Sequence, residues 1–469
     1  MEKIKYAVIL IAFMVGFMAC DDQLDIIPKG KTTLESVTDL EMLLNREYIF
    51  NTDACVDLGM ICNESLGQMS SVPEMLSLTN TLSYAYLSYD ETVDRVTLAQ
   101  DDGRYAAAYS YINYMNIVID KMPEAEGDES IKPALVAEAR IIRAYIHWLL
   151  VNIHATQYEE STASTDGGIA YCDNTDVSEQ KTKLTVEETY RRILEDCSDE
   201  VINLLPASDG DNVLRADRAF GNAVRAKVLM QMKRYDEALP YALQALSLNG
   251  KIEDRSIIME TYAWTLQPTI ANNYVYMRGG IPACPTLEIL SRESSVMFEE
   301  GDYVADYEGG WNEMFGMMFS GIEGCKMYFG WGTQANSYGI NSDRMYYTAA
   351  ECYIRTGEIR KGLELVDRVR NYRVEDYQSY TELYDTQPLS EEDAISLMQK
   401  SKWVECIGSY ENFFDCKRWN SETKYSRTIT RDLGEYGSYF ISPNSPLWIL
   451  PFPANATRYN KSLTQNFTN

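Results

Sequence analysis

The chain has 469 residues and carries 70 aspartates and glutamates against 42 lysines and arginines, a formal net charge of −28. A surface that tracks nucleic-acid phosphates needs a positive field, so nucleic acid is excluded as a default partner. With 45% hydrophobic and 24% charged residues, the composition is that of a folded globular protein with ample material for a core. The 34 tyrosines and 7 tryptophans outnumber the 13 phenylalanines, which favours aromatics that keep a wet edge.

Lys3 and Lys5 precede an apolar stretch from Tyr6 to Ala19. At about 1.5 Å per residue this stretch is too short to cross about 30 Å of hydrocarbon, so residues 1–19 read as a signal peptide. Ala19 directly before Cys20 reads as a lipoprotein cleavage site, which makes Cys20 the lipidated N-terminus and residues 20–40 a tether and N-terminal segment. Several acyl chains on one cysteine anchor stably, where a single chain is marginal. Removing residues 1–19 takes away Lys3, Lys5 and Glu2, so the mature chain stays as acidic as the whole.

Helical periodicity dominates the rest of the chain, and strand-like alternation is scarce, so the fold class is mostly all-α. Apolar stripes run through Arg104–Met122, Lys132–His154, Ala216–Leu248, Ser342–Tyr372 and Glu391–Ile407. From Val186 to Leu205 another stripe predicts a helix, with Thr185 and Glu188 as a capping box and Pro206 as its stop. Two segments share a pattern at a constant offset of 124. Ala226, Leu229, Tyr235, Ala238, Ala242 and Ala245 correspond to Ala350, Tyr353, Ile359, Gly362, Val366 and Val369. Small residues at this spacing let paired antiparallel helices approach closely, with turns at Lys233-Arg234-Tyr235 and Thr356-Gly357-Glu358. The spacing is tetratricopeptide-like, although such units normally occur in tandem at about 34 residues.

Residues 41–249 therefore read as a helical scaffold and 342–469 as its C-terminal part. Between them, 250–341 is rich in Gly, Tyr, Trp and Met, contains Pro268, Pro282 and Pro285, and predicts irregular loops with short helices. Loops on a rigid scaffold are where binding functions concentrate.

The residues of hydrolytic and metal chemistry are sparse. His147 and His154 are the two histidines, two helical turns apart, and read as helix packing and a helix end. HExxH, GxSxG and GxxxxGK[ST] do not occur. The acidic turns Asp173-Asn174-Thr175-Asp176 and Asp209-Gly210-Asp211-Asn212 lack the spaced loop with a distal glutamate, so no specific motif supports a structural calcium ion and no cofactor is expected. The nine cysteines beyond Cys20 form no CxxC; most, such as Cys197, Cys352 and Cys406, read as small buried residues, and Cys55 and Cys62 are the pair close enough for a short disulfide loop.

Several segments, in order, resemble the SusD-like (RagB/SusD) family of bacterial outer-membrane lipoproteins. They are Leu24-Asp25-Ile26-Ile27-Pro28-Lys29-Gly30 with Asp39-Leu40-Glu41, then Tyr109, Ile112 and Asn116, where Tyr105 stands at a position the family often gives to Trp. Glu138-Ala139-Arg140 with Arg143-Ala144-Tyr145 comes next, and then the two paired units ending in Val369-Arg370. The last are Phe413-Phe414-Asp415 with Arg418-Trp419, and Pro451-Phe452-Pro453, Asn460 and Leu463-Thr464-Gln465-Asn466. Before Phe413 the family usually carries a Glu-Gly pair and an Arg; Ser409-Tyr410-Glu411-Asn412 stands here and puts a local ion pair in doubt. The resemblance implies a non-catalytic surface protein that captures nutrient oligomers, typically glycans and sometimes peptides, and forms a lid on a SusC-like TonB-dependent transporter. Asp21-Asp22 after Cys20 is similar to the export signal that sends such lipoproteins to the outer face, with a tether through Lys31.

Sugar capture needs flat aromatic faces beside polar groups. One candidate set is Tyr84, Tyr86, Tyr89 and Tyr105, with Asp90 and Arg104; the other is Tyr262, Trp264, Tyr274, Tyr276, Arg278, Trp311, Tyr328 and Trp331. Trp403, Trp419 and Trp448 lie inside the signatures and read as packing. Glycan capture coupled to import is the main expectation, a peptide receptor or a transporter lid without its own ligand the alternatives, and an enzyme the least favoured.

Overall fold

The computed structural model describes residues 34–45, 48–50, 53–68, 71–176, 178–207, 214–256, 277–279, 288–305, 311–328 and 339–468. The signal peptide, Cys20 and the acidic pair after it lie outside these residues. The main helices include α1 (Gly103–Lys121), α2 (Lys132–His154), α3 (Arg218–Gln231), α4 (Tyr235–Leu248), α5 (Ser342–Arg355), α6 (Ile359–Arg370), Glu391–Glu405 and α7 (Glu411–Asn420). The fold is mostly helical, as the periodicity predicts.

The two repeated units form the helix pairs α3/α4 and α5/α6. Lys233 and Gly357 make the turns with positive φ, 61° and 89°. Ala226, Ala238, Ala242 and Ala245 are fully buried, as are Ala350, Val366 and Val369. Gly362 shows why small residues are needed: a Cβ there would lie 2.5 Å from Ile354 Cγ1 and 2.7 Å from the Ala350 carbonyl oxygen. Although 124 positions separate the pairs in sequence, α4 packs directly on α5, with Leu246 against the cluster that contains Tyr346.

α7 joins these pairs to the rest. Its Arg418, fully buried, donates to both carboxylate oxygens of Glu351 on α5 at 2.6 and 2.9 Å, to Asp415 at 2.8 Å and to the Tyr235 hydroxyl at 3.0 Å. Trp419 Nε1 donates to the same Glu351 at 2.9 Å. Glu411 accepts from Lys227 of α3 at 2.6 Å, so where the sequence departs from the family pattern this glutamate is held by a long-range ion pair rather than a local one. Its cation comes from α3, far away in sequence, where a local motif cannot register it. The signature on α2 is likewise ionic: Glu138 receives Arg215 at 2.8 and 2.7 Å, and Arg143 donates to Asp196 at 2.7 and 2.8 Å and to Asn116 at 2.8 Å. Buried charges in a helical core are tolerated when each is paired and hydrogen-bonded.

One predicted helix is broken. Val186–Asp196 ends at Cys197, and Asp199–Leu204 starts a second helix behind Ser198, which is extended at φ −70°, ψ 163°. The Arg225 guanidinium satisfies the carbonyls freed at the break, donating to Leu194 and Cys197 at 3.3 and 2.9 Å. The Thr185 cap is in place, accepting from the Glu188 amide at 3.2 Å.

The described parts of 250–341 contain a small antiparallel sheet that the sequence does not announce. It comprises β1 (Ser65–Gln68), β2 (Glu288–Leu290), β3 (Trp311–Asn312) and β4 (Met327–Tyr328), in spatial order β1-β2-β4-β3. Strands of two to four residues are too short to establish an alternating pattern. The sheet fastens the insertion to the N-terminal region, and Ser291 seals the joint by donating to the carbonyls of Glu64 (from its amide, 3.1 Å) and Asn63 (from its hydroxyl, 2.6 Å). Cys62 is a buried free thiol, and the side chain of Cys55, its partner in the short disulfide loop the spacing allows, lies outside the described residues.

Candidate functional site

Tyr105, Tyr109, Asn113 and Asn116 are spaced by four, four and three residues and so share one face of α1. Asp102 caps the first turn, its carboxylate accepting from the Arg104 and Tyr105 amides at 2.8 and 3.3 Å. Tyr105 lies edge-on to His154 at 5.4 Å between ring centroids, and Tyr109 lies beside it at 4.7 Å. The Tyr109 hydroxyl donates to the Ala170 carbonyl at 2.8 Å. Asn116 donates to the carbonyls of Cys172 and Asn174, which ties the following loop to the helix.

This face forms one wall of a cleft of about 430 Å³, closed by residues from Ala170 to Lys181 and from Ala456 to Leu463. The two opposing segments brace each other. Gln180 donates to the Tyr459 carbonyl at 2.7 Å, and Asn460 to the Lys181 carbonyl at 2.6 Å. Tyr459 lines the cleft with 77% of its surface exposed. Tyr105 is itself buried, so the exposed aromatic face of the cleft is that of Tyr459, set among amide, carboxylate and ammonium groups, the combination suited to stacking on a sugar ring and bonding its hydroxyls.

Two titratable groups of the lining are shifted by their surroundings. The Cys172 thiol is pushed up to about 11 by burial, out of thiolate range at neutral pH. Asp176 is held below the usual carboxylate range by the Ser178 hydroxyl and amide, so it serves as an acceptor rather than an acid. His147 sits behind the wall: its Nε2 accepts from the Cys172 amide at 3.2 Å, which leaves Nδ1 to donate to the Arg143 carbonyl at 2.9 Å. Burial and nearby Arg143 lower its pKa to about 3. His154, the last residue of α2, contacts the Leu450 carbonyl at 3.1 Å through Nδ1. Among the described residues no cluster of His, Cys, Asp and Glu is arranged to hold a metal ion.

The other predicted aromatics are placed differently. Tyr86 and Tyr89 are buried and present no free face. Arg431 donates to the carbonyls of Tyr86 and Leu87, both at 2.7 Å, and its guanidinium lies 4.3 Å over the Tyr89 ring. Arg104 is paired with Asp57 at 3.0 Å and Asp102 at 3.3 Å. Asp90 receives the Thr92 amide and hydroxyl, and Tyr84 is half-buried in a short capped helix. Trp311 is buried against Phe298, at 5.9 Å between centroids, because β3 turns it into the sheet's own small core. Tyr328 pairs with Trp311 in register, and Arg278 pairs with Ile49 in a parallel two-stranded ladder. Tyr262, Trp264, Tyr274, Tyr276 and Trp331 lie outside the described residues. Of the candidates that are described, Tyr105 alone lines the cleft, and its partners Asn113 and Tyr459 were not singled out from sequence. The four-residue spacing after Tyr105 is the signal for Asn113; Tyr459 carries none. Trp403, Trp419 and Trp448 are buried with their indole N–H groups bonded to Ser294, Glu351 and the Ser442 carbonyl.

Comparison with known proteins gives a consistent result. Residues 24–229 match a SusD-like family described as starch-binding and associating with the outer membrane, and residues 342–468 match the SusD family. No curated protein matches the chain. Among solved structures, a SusD-like protein from Bacteroides fragilis is similar at TM-score 0.66 and 15% identity, over 95% of this chain and 99% of that one. Surface glycan-binding protein A from Bacteroides uniformis is similar at TM-score 0.65 and 14% identity, over 92% and 99%. A SusD-like carbohydrate binding protein from Bacteroides vulgatus is similar at TM-score 0.63 and 14% identity, over 93% and 98%.

Proposed function

The chain belongs to the SusD-like family, and on that premise we propose that it is a cell-surface lipoprotein that binds a nutrient oligomer, a glycan above all, and hands it unchanged to a SusC-like TonB-dependent transporter. The observation that carries this reading is the match of residues 24–229 to a SusD-like family described as starch-binding and associating with the outer membrane, beside the match of residues 342–468 to the SusD family. The cleft supports it with an exposed tyrosine face, amides and carboxylates, and its Cys172 thiol is out of thiolate range. The lipid anchor is Cys20, behind a signal peptide; among the described residues no helix is long and apolar enough to cross a membrane.

The test is calorimetric titration of the mature domain with a panel of neutral oligosaccharides. Binding of at least one glycan, with the glycan recovered intact, is expected. Trp264→Ala or Trp331→Ala should weaken it without unfolding the protein. Binding of peptides alone, or of nothing while the transporter complex still forms, would refute the glycan reading, and turnover would refute the non-catalytic one.

A further inference from the structure

A second cavity, of about 740 Å³, opens beyond the end of α2. Thr156, Gln157 and Glu159 line it from the chain that leaves α2, Lys417 and Asn420 from the last turn of α7, Trp448 from the 443–449 turn, and Phe467 from the C-terminal segment. Hydroxyl and amide groups dominate the remaining wall. Among the described lining residues the one carboxylate, Glu159, is already paired with Lys233.

Two donors in this cavity are not used up by the fold. Lys417 is 4% exposed, and its ammonium donates to two carbonyls, Asn152 at 2.6 Å and Ala155 at 2.7 Å. An ammonium has three N–H donors, so one is left beyond the two carbonyls, with the Phe413 ring centre 5.4 Å away. Burial alone pulls its pKa down to about 7, with no carboxylate propping up the charged form. The Asn420 Nδ2 is buried and has no hydrogen-bond partner among the described residues. An orphaned buried amide is costly and marks a place where an acceptor is missing.

We infer that this cavity is a binding site for a carboxylate-bearing sugar, the carboxylate accepting from Lys417 Nζ and Asn420 Nδ2 while the ring packs on the half-buried Phe467. A sugar acid fits better than a peptide terminus because the rest of the wall, Thr156, Gln157, Thr423 and Asn444 among it, offers groups for several hydroxyls. The overall charge of −28 disfavours anionic ligands at long range, but within about 8–10 Å an uncompensated buried cation outweighs a screened field. The inference is independent of the tyrosine cleft and of the neutral-glycan reading.

The groups facing Lys417 set what a pH titration reports. His154 on α2 is lowered to about 4 by burial, so it stays neutral above pH 6. Glu159 is held by Lys233, and Arg95 lies against Phe467, 4.2 Å from its ring, with its guanidinium bonded to the Ile449 and Pro446 carbonyls. Lys417 is then the group that changes charge between pH 6 and 8.

The experiment titrates the mature protein with D-glucuronate, with glucose and with a short peptide carrying either a free or an amidated C-terminus. Glucuronate should bind at least tenfold more tightly than glucose, more tightly at pH 6 than at pH 8, and with proton uptake near pH 7.5. Asn420→Asp, which places a like charge in the cavity, should weaken it at least tenfold, whereas Tyr459→Ala in the other cleft should leave it unchanged. Because Lys417 also caps α2, Lys417→Met is read only if its unfolding curve is native-like, and Asn420→Asp decides otherwise. Glucuronate no tighter than glucose, indifference to Asn420→Asp, or preference for the free-terminus peptide would overturn the assignment.

Discussion

Glu351→Gln isolates the ion pair on which α7 is seated. Arg418 and Glu351 are both fully buried and joined by two parallel hydrogen bonds. Burial alone would raise the Glu351 pKa; Arg418, then Arg355 and Lys402, overcome it and hold the carboxyl well below its usual range. The glutamine keeps the shape but removes the charge, leaving Arg418 with Asp415 and the Tyr235 hydroxyl. Breaking one side of a buried pair costs about 3–5 kcal/mol. Because Asp415 stays in place, the expected loss is toward the low end, about 3 kcal/mol. Urea unfolding followed by far-ultraviolet circular dichroism reads it as a lower midpoint at constant slope. Arg418→Met alone leaves the buried Glu351 with Arg355 at 3.4 Å and the Trp419 indole, whereas the double variant removes both charges of the pair, so the cycle should show a coupling of about 1–3 kcal/mol. The acid limb should follow: the pair's contribution is complete above about pH 4.5, the ordinary glutamate value, and is lost as pH falls through the depressed pKa. A loss below about 1 kcal/mol for Glu351→Gln, or additive single variants, would refute the claim that this pair seats α7 on α5.

Gly362→Ala should destabilise by about 1–3 kcal/mol, since the added methyl meets a backbone carbonyl and Ile354 at once; a thermal melt within error of the parent would mean that the helix pair can spread. Glu64 and Glu288 are raised to about 7 and about 8, first by burial, and Glu64 adds to the rise at Glu288. The folded chain therefore holds these protons more tightly than the unfolded chain, so stability should fall as pH rises from about 4.5, the ordinary glutamate value, through about 8. Glu288→Gln should flatten that limb in pH-dependent melts, and an unchanged slope would count against the pair. Tyr459→Ala, at an exposed position, should shift stability by less than about 0.5 kcal/mol while weakening the affinity for a glycan that the parent binds; equal affinity would remove the tyrosine cleft from the binding surface.

The helical pattern was legible because it is local. The Lys132–His154 stripe, the Thr185 cap and the turns at Lys233 and Gly357 each follow from contacts three or four residues apart. The offset of 124 between the two pairs was equally visible, since it repeats small residues at fixed spacing. What those signals could not contain is partnership across the chain. Nothing near Glu351 points to Arg418, nothing near Glu411 to Lys227, and a stripe that ran on past Cys197 could not foresee Arg225 supplying the donors that let the helix stop there. The same distinction governs the sites. Aromatics look alike in sequence until the tertiary structure packs Tyr86, Tyr89 and Trp311 away from any cleft and sets Tyr105, itself buried, in the wall of one beside the exposed Tyr459, 354 positions away. Sequence periodicity sets which faces of a helix are apolar; only the packed chain decides which polar group ends beside which, because burial and pairing depend on residues that meet after the helices have formed.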